Sequence, residues 1–428
     1  MMIACPMNEP TKLVVTFLLV CSLAMGFQQP LKTPCAWGSR STILSRQSES
    51  QATGPFTLSM SSSTKAETSR KLPGTAEMDV AWEDLGFEFR PTNSHVKMVW
   101  KDGEWQKPEL ISDGPYINLH IGATALHYGQ SCFEGLKAFT HSDQSVWLFR
   151  PDENAKRMQN SCKRIVMPEI PTDLFVKCCQ MAVADNIEYV PPYGSGGALY
   201  IRPLLFGSGP RIGLQPADEY TFIVLVIPVG DYYKGGLSKL DGLLITDYDR
   251  AAPRGVGNVK VAGNYAADIL PNQQSKKSGY PIGLYCDAQT QKNIEEFSTS
   301  NFVGIQYGTD SNGGKTKFVT PSSPSVLPSI TNKSLMQLAR DAGMTVEERN
   351  IPVEELQGMD EVLAVGTAVV VTPIGSITQL KSKTNGEPVT YKFGDGQEVG
   401  QVTMDLYNKV RAIQNGEAED VHGWNVKV

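Results

Sequence analysis

Four short apolar runs constrain the fold more than any other feature: SVWLFRP (145–151), ALYIRPLLFG (198–207), EYTFIVLVIPVG (219–230) and GLLITD (242–247). All are rich in β-branched and aromatic residues, which marks strands. NAKRMQNSCKRI (154–165), DLFVKCCQMAVADNI (173–187), SLMQLARDAG (334–343) and MDLYNKVRAIQNG (404–416) instead carry apolar residues at helical spacing. Gly343 supplies a stop for the third of these helices. Strands and helices mix without a regular βαβ rhythm. An α+β (mixed α/β) architecture follows, rather than a doubly wound sheet or a barrel of βα units. VGDYYKGGLSKL (229–240) reads as a connector between a smaller α/β domain at 79–228 and a larger one at 241–428.

The bulk properties exclude several function classes. Apolar residues make up 41% of the 428 and charged residues 20%, as in a soluble globular protein. A net charge of −6 leaves no basic footprint for nucleic acid. The eight cysteines include no C-x-x-C pair, so buried reduced thiols are expected. The five histidines have no metal-ligand spacing, and no metal is expected. GTDSNGGKTK (308–317) misses the phosphate-loop spacing by one residue and reads as a hairpin turn. NKS (332–334) matches a glycosylation sequon that is expected to stay unused.

GNVKVAGNYAADIL (257–270) puts Lys260 among small and apolar residues. Desolvation there lowers a lysine's pKa and makes it a nucleophile toward carbonyls, including the aldehyde of pyridoxal phosphate. That cofactor asks for four further groups. EEFSTSNFVG (295–304) offers Glu295 and Glu296 for a pyridinium nitrogen. Adjacent strand residues point to opposite faces, so one of them looks inward; a solvent-facing pair at a strand edge is the alternative. VLPSITNKSLMQLA (326–339) runs from a loop into a helix whose N-terminus, with Thr331, suits a phosphate. EVLAVGTAVV (361–370) ends in a Gly-Thr-Ala turn with exposed N–H groups, and Arg150 adds a fixed charge. Tyr200 and Arg202, two apart on a strand, share a face and suit a carboxylate clamp. Tyr128 and Phe133 offer apolar walls, with core aromatics as the alternative for all these rings.

Taken together, LHYGQSCFEGLKAF, LFRP, LYIRPLLFG, VKVAGNYA, EEFSTSNFV, VLPSITNKSL, VGTAVVVTPI and LYNKVRAIQNGEAEDVHGW resemble the branched-chain amino acid aminotransferases, which are fold type IV pyridoxal phosphate enzymes. The resemblance runs from about Asp79 to Val428. It implies a two-domain fold and exchange of an amino group between leucine, isoleucine or valine and 2-oxoglutarate. It assigns Lys260 to the Schiff base, Tyr265 to the cofactor's phenolic oxygen and Glu296, not Glu295, to the ring nitrogen. It gives the phosphate to Arg150, Ile330 (through its backbone), Thr331 and Thr367. Tyr128, Phe133, Tyr200, Arg202 and Ala368 fall at substrate positions, with Tyr232 a weaker candidate. Some of these come from a second subunit in the family, which implies a homodimer. Val369 and Thr372 stand where mammalian members have a redox C-x-x-C, so thiol control is not carried over. A D-amino acid aminotransferase or an aminodeoxychorismate lyase would share Lys260 and Glu296. A catalytically silent cofactor-binding protein is the reading from another class.

Ahead of Asp79 the chain looks like a leader. LVVTFLLVCSLAMGF (13–27) is a signal-peptide core, giving a signal peptide at 1–27. Residues 28–75 are rich in Ser, Thr and Gln, poor in acids and expected to be disordered, as in a transit peptide. The pair resembles the bipartite presequence of plastid proteins, with AMGFQQP (24–30) at the cut. A plain secretory signal or a mitochondrial presequence is the alternative. No later run is long and apolar enough for a membrane helix, so the mature form is expected off the membrane.

Overall fold

The computed structural model describes residues 71–230, 236–309, 314–380, 386–394 and 398–428. The leader up to residue 70, Tyr232 and most of the connector's tyrosine segment lie outside the described residues. The first part of the chain supplies strands β1 (His95–Lys101), β2 (Glu104–Trp105), β3 (Glu109–Ile111), β4 (Ser131–Phe133), β5 (Leu136–Thr140), β6 (Val146–Phe149), β7 (Ala198–Gly207) and β8 (Glu219–Val229). The second part supplies β9 (Leu240–Ile245), β10 (Ile282–Cys286), β11 (Ile294–Phe297), β12 (Asn301–Gln306), β13 (Lys317–Pro321), β14 (Thr345–Arg349), β15 (Glu361–Gly366), β16 (Val370–Gln379) and β17 (Val389–Lys392). A last strand, β18 (Asn425–Lys427), returns to the first sheet and pairs with β6.

The first sheet runs β18-β6-β5-β7-β8-β1-β2, with β3 on β1 and β4 on β7. Helices α2 (Pro151–Arg164) and α3 (Thr172–Asp185) pack against it around Cys132, Met158, Phe175 and Phe222. The short α1 (Thr124–Tyr128) leads into β4. The second sheet runs β11-β10-β9-β16-β15-β12-β13-β14, and β11 also pairs with β12. That extra pairing closes β9 to β12, β15 and β16 on themselves. Two parallel pairs, β9–β10 and β13–β14, are each bridged by a helix, as parallel neighbours require. The helices are α4 (Ala262–Lys277) and α5 (Ile330–Asp341). Helix α6 (Gln401–Gln414) packs beside α5 through Leu406, Val410 and Ile413.

Helical periodicity located α5 and α6 but not their starts, which lie at Ile330 and Gln401 rather than 334 and 404. Periodicity reads a buried face, and a first turn is set by its cap instead. Ser329 provides that cap for α5, accepting the Asn332 N–H at 3.1 Å. Gly343, at φ +79°, follows the helix as the expected stop. Strands β12 and β13 pair antiparallel on either side of the stretch 308–317, whose residues 310–313 lie outside the described residues, and the described residues that follow it form a strand rather than a phosphate-loop helix. Asn332 of the sequon is buried within α5 and donates to the Thr320 hydroxyl at 2.9 Å. All five described cysteines are buried free thiols. Among the described residues, no helix is long and apolar enough to cross a membrane.

Candidate active site

Lys260 sits where the two sheets meet, one residue before Val261 opens α4. Its backbone is held from the first sheet's side. Its N–H donates to the Ser161 hydroxyl of α2 at 2.9 Å, and its carbonyl accepts from Phe133 of β4 at 3.1 Å. Asn264 pins the approach by donating to the carbonyls of Val256 (2.8 Å) and Val259 (3.0 Å). The small residues around the lysine divide by purpose. A Cβ at Gly263 would meet nothing, whereas one at Gly257 would collide with the Ser325 carbonyl.

The lysine Nζ donates to the Tyr265 hydroxyl at 2.7 Å and lies 4.7 Å over the Phe133 ring. Burial pushes its pKa down, Arg157 and Arg202 push the same way, and the result is about 7. The unfolded chain therefore holds a proton here that the folded chain lacks, between about pH 7 and the ordinary 10.5. This lysine's contribution to stability rises with pH across that window. In cofactor-free protein, Lys260→Met should stabilise more at pH 6 than at pH 9, by on the order of 2 kcal/mol. Thermal melts at the two pH values check this, and equal gains would mean the amine is not desolvated.

Glu296 lies on β11 with its carboxylate buried. It accepts from the Leu327 N–H at 2.9 Å, from Asn301 Nδ2 at 3.2 Å and from Arg250. Burial pushes its pKa up to about 7 against the pull of Arg250. Glu295 is not solvent-facing either. It is 2% exposed and accepts from the hydroxyls of Ser323 (2.6 Å) and Ser325. Strand alternation separates the two faces, but serines line the second one, so both carboxylates are inside.

Ile330, Thr331 and Thr367 line one narrow cleft with Gly135, Lys137 and Asn154. The first two open α5, whose unpaired N–H groups favour an anion. Thr367 and Ala368 form the turn from β15 into β16, and the Lys137 ammonium donates to the Ala368 carbonyl at 2.6 Å. Val370 leaves that turn at φ 65°, the left-handed region that a β-branched residue rarely enters. Arg150 directly follows Phe149, which lines this cleft. Its Nη1 donates to the Ser334 hydroxyl at 2.8 Å, a turn further along α5, and its guanidinium lies 5.0 Å from the Trp424 ring.

The arginine with the largest electrostatic effect on the lysine is one that motif reading passed over. Arg157 of α2 grips the fully buried Glu134 through two bonds, Nε–Oε1 at 2.8 Å and Nη2–Oε2 at 2.7 Å. Its Nη1 donates to the Pro328 carbonyl at 3.0 Å, just ahead of α5. The signal was present. Arg157 shares the helix face of Asn154, Met158 and Ser161, all buried.

Tyr200 and Arg202 share a face of β7, as alternation demands, and the guanidinium donates to the Tyr200 hydroxyl at 2.9 Å. Arg202 also covers the Phe133 ring at 4.7 Å, so one phenyl carries both Arg202 and Lys260. A Cβ at Gly135 would strike the Tyr200 hydroxyl, which explains the glycine. Tyr128 stands apart from this group, 43% exposed, with its hydroxyl on the Ile212 carbonyl.

The sequence profile described as amino-transferase class IV matches residues 131–377. The branched-chain-amino-acid aminotransferase of Haemophilus influenzae is 44% identical over 356 residues, which span 82% of this chain and 99% of that protein. Branched-chain amino acid aminotransferase 2, chloroplastic, of Humulus lupulus is 41% identical over 351 residues, 82% of each chain. The crystal structure of the branched-chain amino acid aminotransferase from Thermobaculum terrenum, in its PLP form, matches with a TM-score of 0.63. It covers 78% of this chain and 98% of that one at 20% identity, and so speaks for the fold alone. With the profile covering more than half of its length and relatives matching nearly end to end, this chain belongs to the class IV amino-transferases, in the branch of the branched-chain enzymes.

Proposed function

We propose that this protein is a pyridoxal phosphate-dependent branched-chain-amino-acid transaminase. It exchanges the amino group between L-leucine, L-isoleucine or L-valine and 2-oxoglutarate. Lys260 carries this reading: its amine is drawn down to about 7, bonded to Tyr265 and set between a buried carboxylate and a helix N-terminus. The donor set fits the cofactor. Glu296 would meet the ring nitrogen and Tyr265 the phenolic oxygen. Thr331, Thr367 and the Ile330 backbone would hold the phosphate. Arg150, whose Nη1 bonds Ser334 one turn into α5, would supply the accompanying cation, while Arg157, held by Glu134 and Pro328, lowers the proton affinity of Lys260.

When bound, pyridoxal phosphate supplies an aldehyde that takes up the amine and a ring that draws off the electron pair left at the substrate Cα. The chain's own residues do the rest. Lys260 Nζ, close to half-protonated near neutral pH, takes the proton from Cα and returns one. Glu296 would set its carboxylate against the ring nitrogen. Tyr200 and Arg202 hold a carboxylate, and Phe133 with Tyr265 walls the apolar side chain. Both half-reactions use one pocket, which gives ping-pong kinetics.

Purified enzyme should convert L-leucine and 2-oxoglutarate to the branched 2-oxo acid and glutamate. D-alanine and aminodeoxychorismate should be inert in the same assay. Preference for either would replace this reading with a D-amino acid aminotransferase or an aminodeoxychorismate lyase.

We read the enzyme as a homodimer, with Tyr128 and the turn around Ala368 meeting substrate only in the assembled site. Exposed Ile121, Leu126, Ile212 and Leu214 support this, since a monomer rarely leaves such apolar side chains clustered in the open. Residues 1–75 we read as a plastid-directing leader, in line with the chloroplastic relative.

A further inference from the structure

Arg250 lies ten residues before Lys260, in a segment without a chemical motif. Its side chain is 8% exposed, and its Nη2 is shared by three segments of the site. It donates to the Glu296 carboxylate, to the Gly257 carbonyl at 3.2 Å and to the Ser325 carbonyl at 2.9 Å. The Gly257 loop delivers Lys260, and the Ser325 loop delivers α5. Gly257 has no side chain because the two loops touch there. One guanidinium thus joins the lysine loop, the ring-nitrogen carboxylate and the approach to the phosphate helix.

Burial favours the neutral form of Glu296, and the same guanidinium pulls it back toward the ionised form. A carboxylate this deep takes up a proton unless a cation meets it. The other titratable groups that face the pair are Glu295 beside it, Lys260 and Tyr265 across the cleft, Asp268 on α4 and Tyr285 on β10. Of these Lys260 alone is a cation, and only while it is protonated. A permanent charge comes from Arg250.

We propose that Arg250 is a positioning residue that draws the Glu296 carboxylate toward its ionised form and so tunes it toward the cofactor's ring nitrogen. This rests on the reading of Glu296 as the partner of the cofactor's ring nitrogen.

The test uses the full enzyme, its apoprotein and four variants: R250M, R250K, E296Q and R250M/E296Q. Two quantities are read: the dissociation constant of pyridoxal phosphate, and the pH titration of the bound cofactor's absorbance. R250M should weaken binding by about tenfold or more, within the range of coupled buried groups, and should shift the titration. R250K should restore most of both. In the E296Q background the R250M change should cost less than about threefold, because its target is already neutral. Unchanged binding and titration in R250M would overturn the proposal. So would an equal loss with and without Glu296, which would make Arg250 a mere structural strut. R250M leaves a lone buried charge and is prone to misfold. The double variant has no lone charge, so its comparison with E296Q decides alone: matching affinity supports the proposal and a further tenfold loss overturns it. Wild-type behaviour of E296Q would remove the reading of Glu296 and the proposal with it, while leaving the fold contacts of Arg250 as they are.

Discussion

Lys260→Ala is expected to lower kcat by at least about 10⁴-fold, the upper end of what proton transfer by one positioned side chain contributes. The side chain has no stand-in. Tyr265 lies within hydrogen-bond reach, but burial holds its phenol well above the usual range, so it does not act as a base near neutrality. The fold should survive. The contacts that anchor residue 260, with Ser161 and Phe133, use its backbone atoms. Two measurements check this: turnover of L-leucine with 2-oxoglutarate, and the visible spectrum of the purified variant, which should lose the band of the lysine-linked cofactor. Retention of both would rule Lys260 out as the catalytic amine.

Glu296→Gln should cut kcat by about 10²- to 10³-fold, the scale for removing one preorganised electrostatic group. Glu295→Gln should leave kcat within a few-fold of wild type and show its effect in stability. Its Oε1 accepts two serine hydroxyls in a buried setting. An amide satisfies them less well, at a cost of about 1–3 kcal/mol. Paired kinetics and thermal melts separate the two carboxylates. If Glu295→Gln were the inactive variant, the assignment of faces on β11 would be reversed.

The site was partly legible in the sequence because some of its chemistry is local. Lys260 and Tyr265 lie five apart across a helix start, and Tyr200 and Arg202 lie two apart on a strand, so short-range geometry brings each pair together. The choice between Glu295 and Glu296 was not local. Alternation said that one faces inward, and what makes both interior is the serine loop 323–325, distant in sequence. Arg157 was passed over because it looks like one more polar residue of an amphipathic helix. Its worth depends on Glu134 and Pro328, which only the fold puts beside it. Lys137 was hidden the same way, inside the apolar strand LKAFT. Arg250 had no local signal at all, since its three acceptors come from three segments. The strand and helix runs survived translation into structure because each is amphipathic or apolar on its own. The closure of β11 on β12 rests on a single pair, Glu296 with Asn301, and no periodicity announces it.

Val370 sits in left-handed backbone at the exit of the Thr367–Ala368 turn. A strained residue of this kind costs about 1–3 kcal/mol, and a glycine would be free of it. Valine offsets the cost by burying its side chain, 3% exposed, in the core shared with α5 and α6. The turn is thereby clamped from below by hydrophobic packing. Its amide dipoles are oriented by the fold itself, so a group bound at the turn would not have to bear the entropy of ordering them.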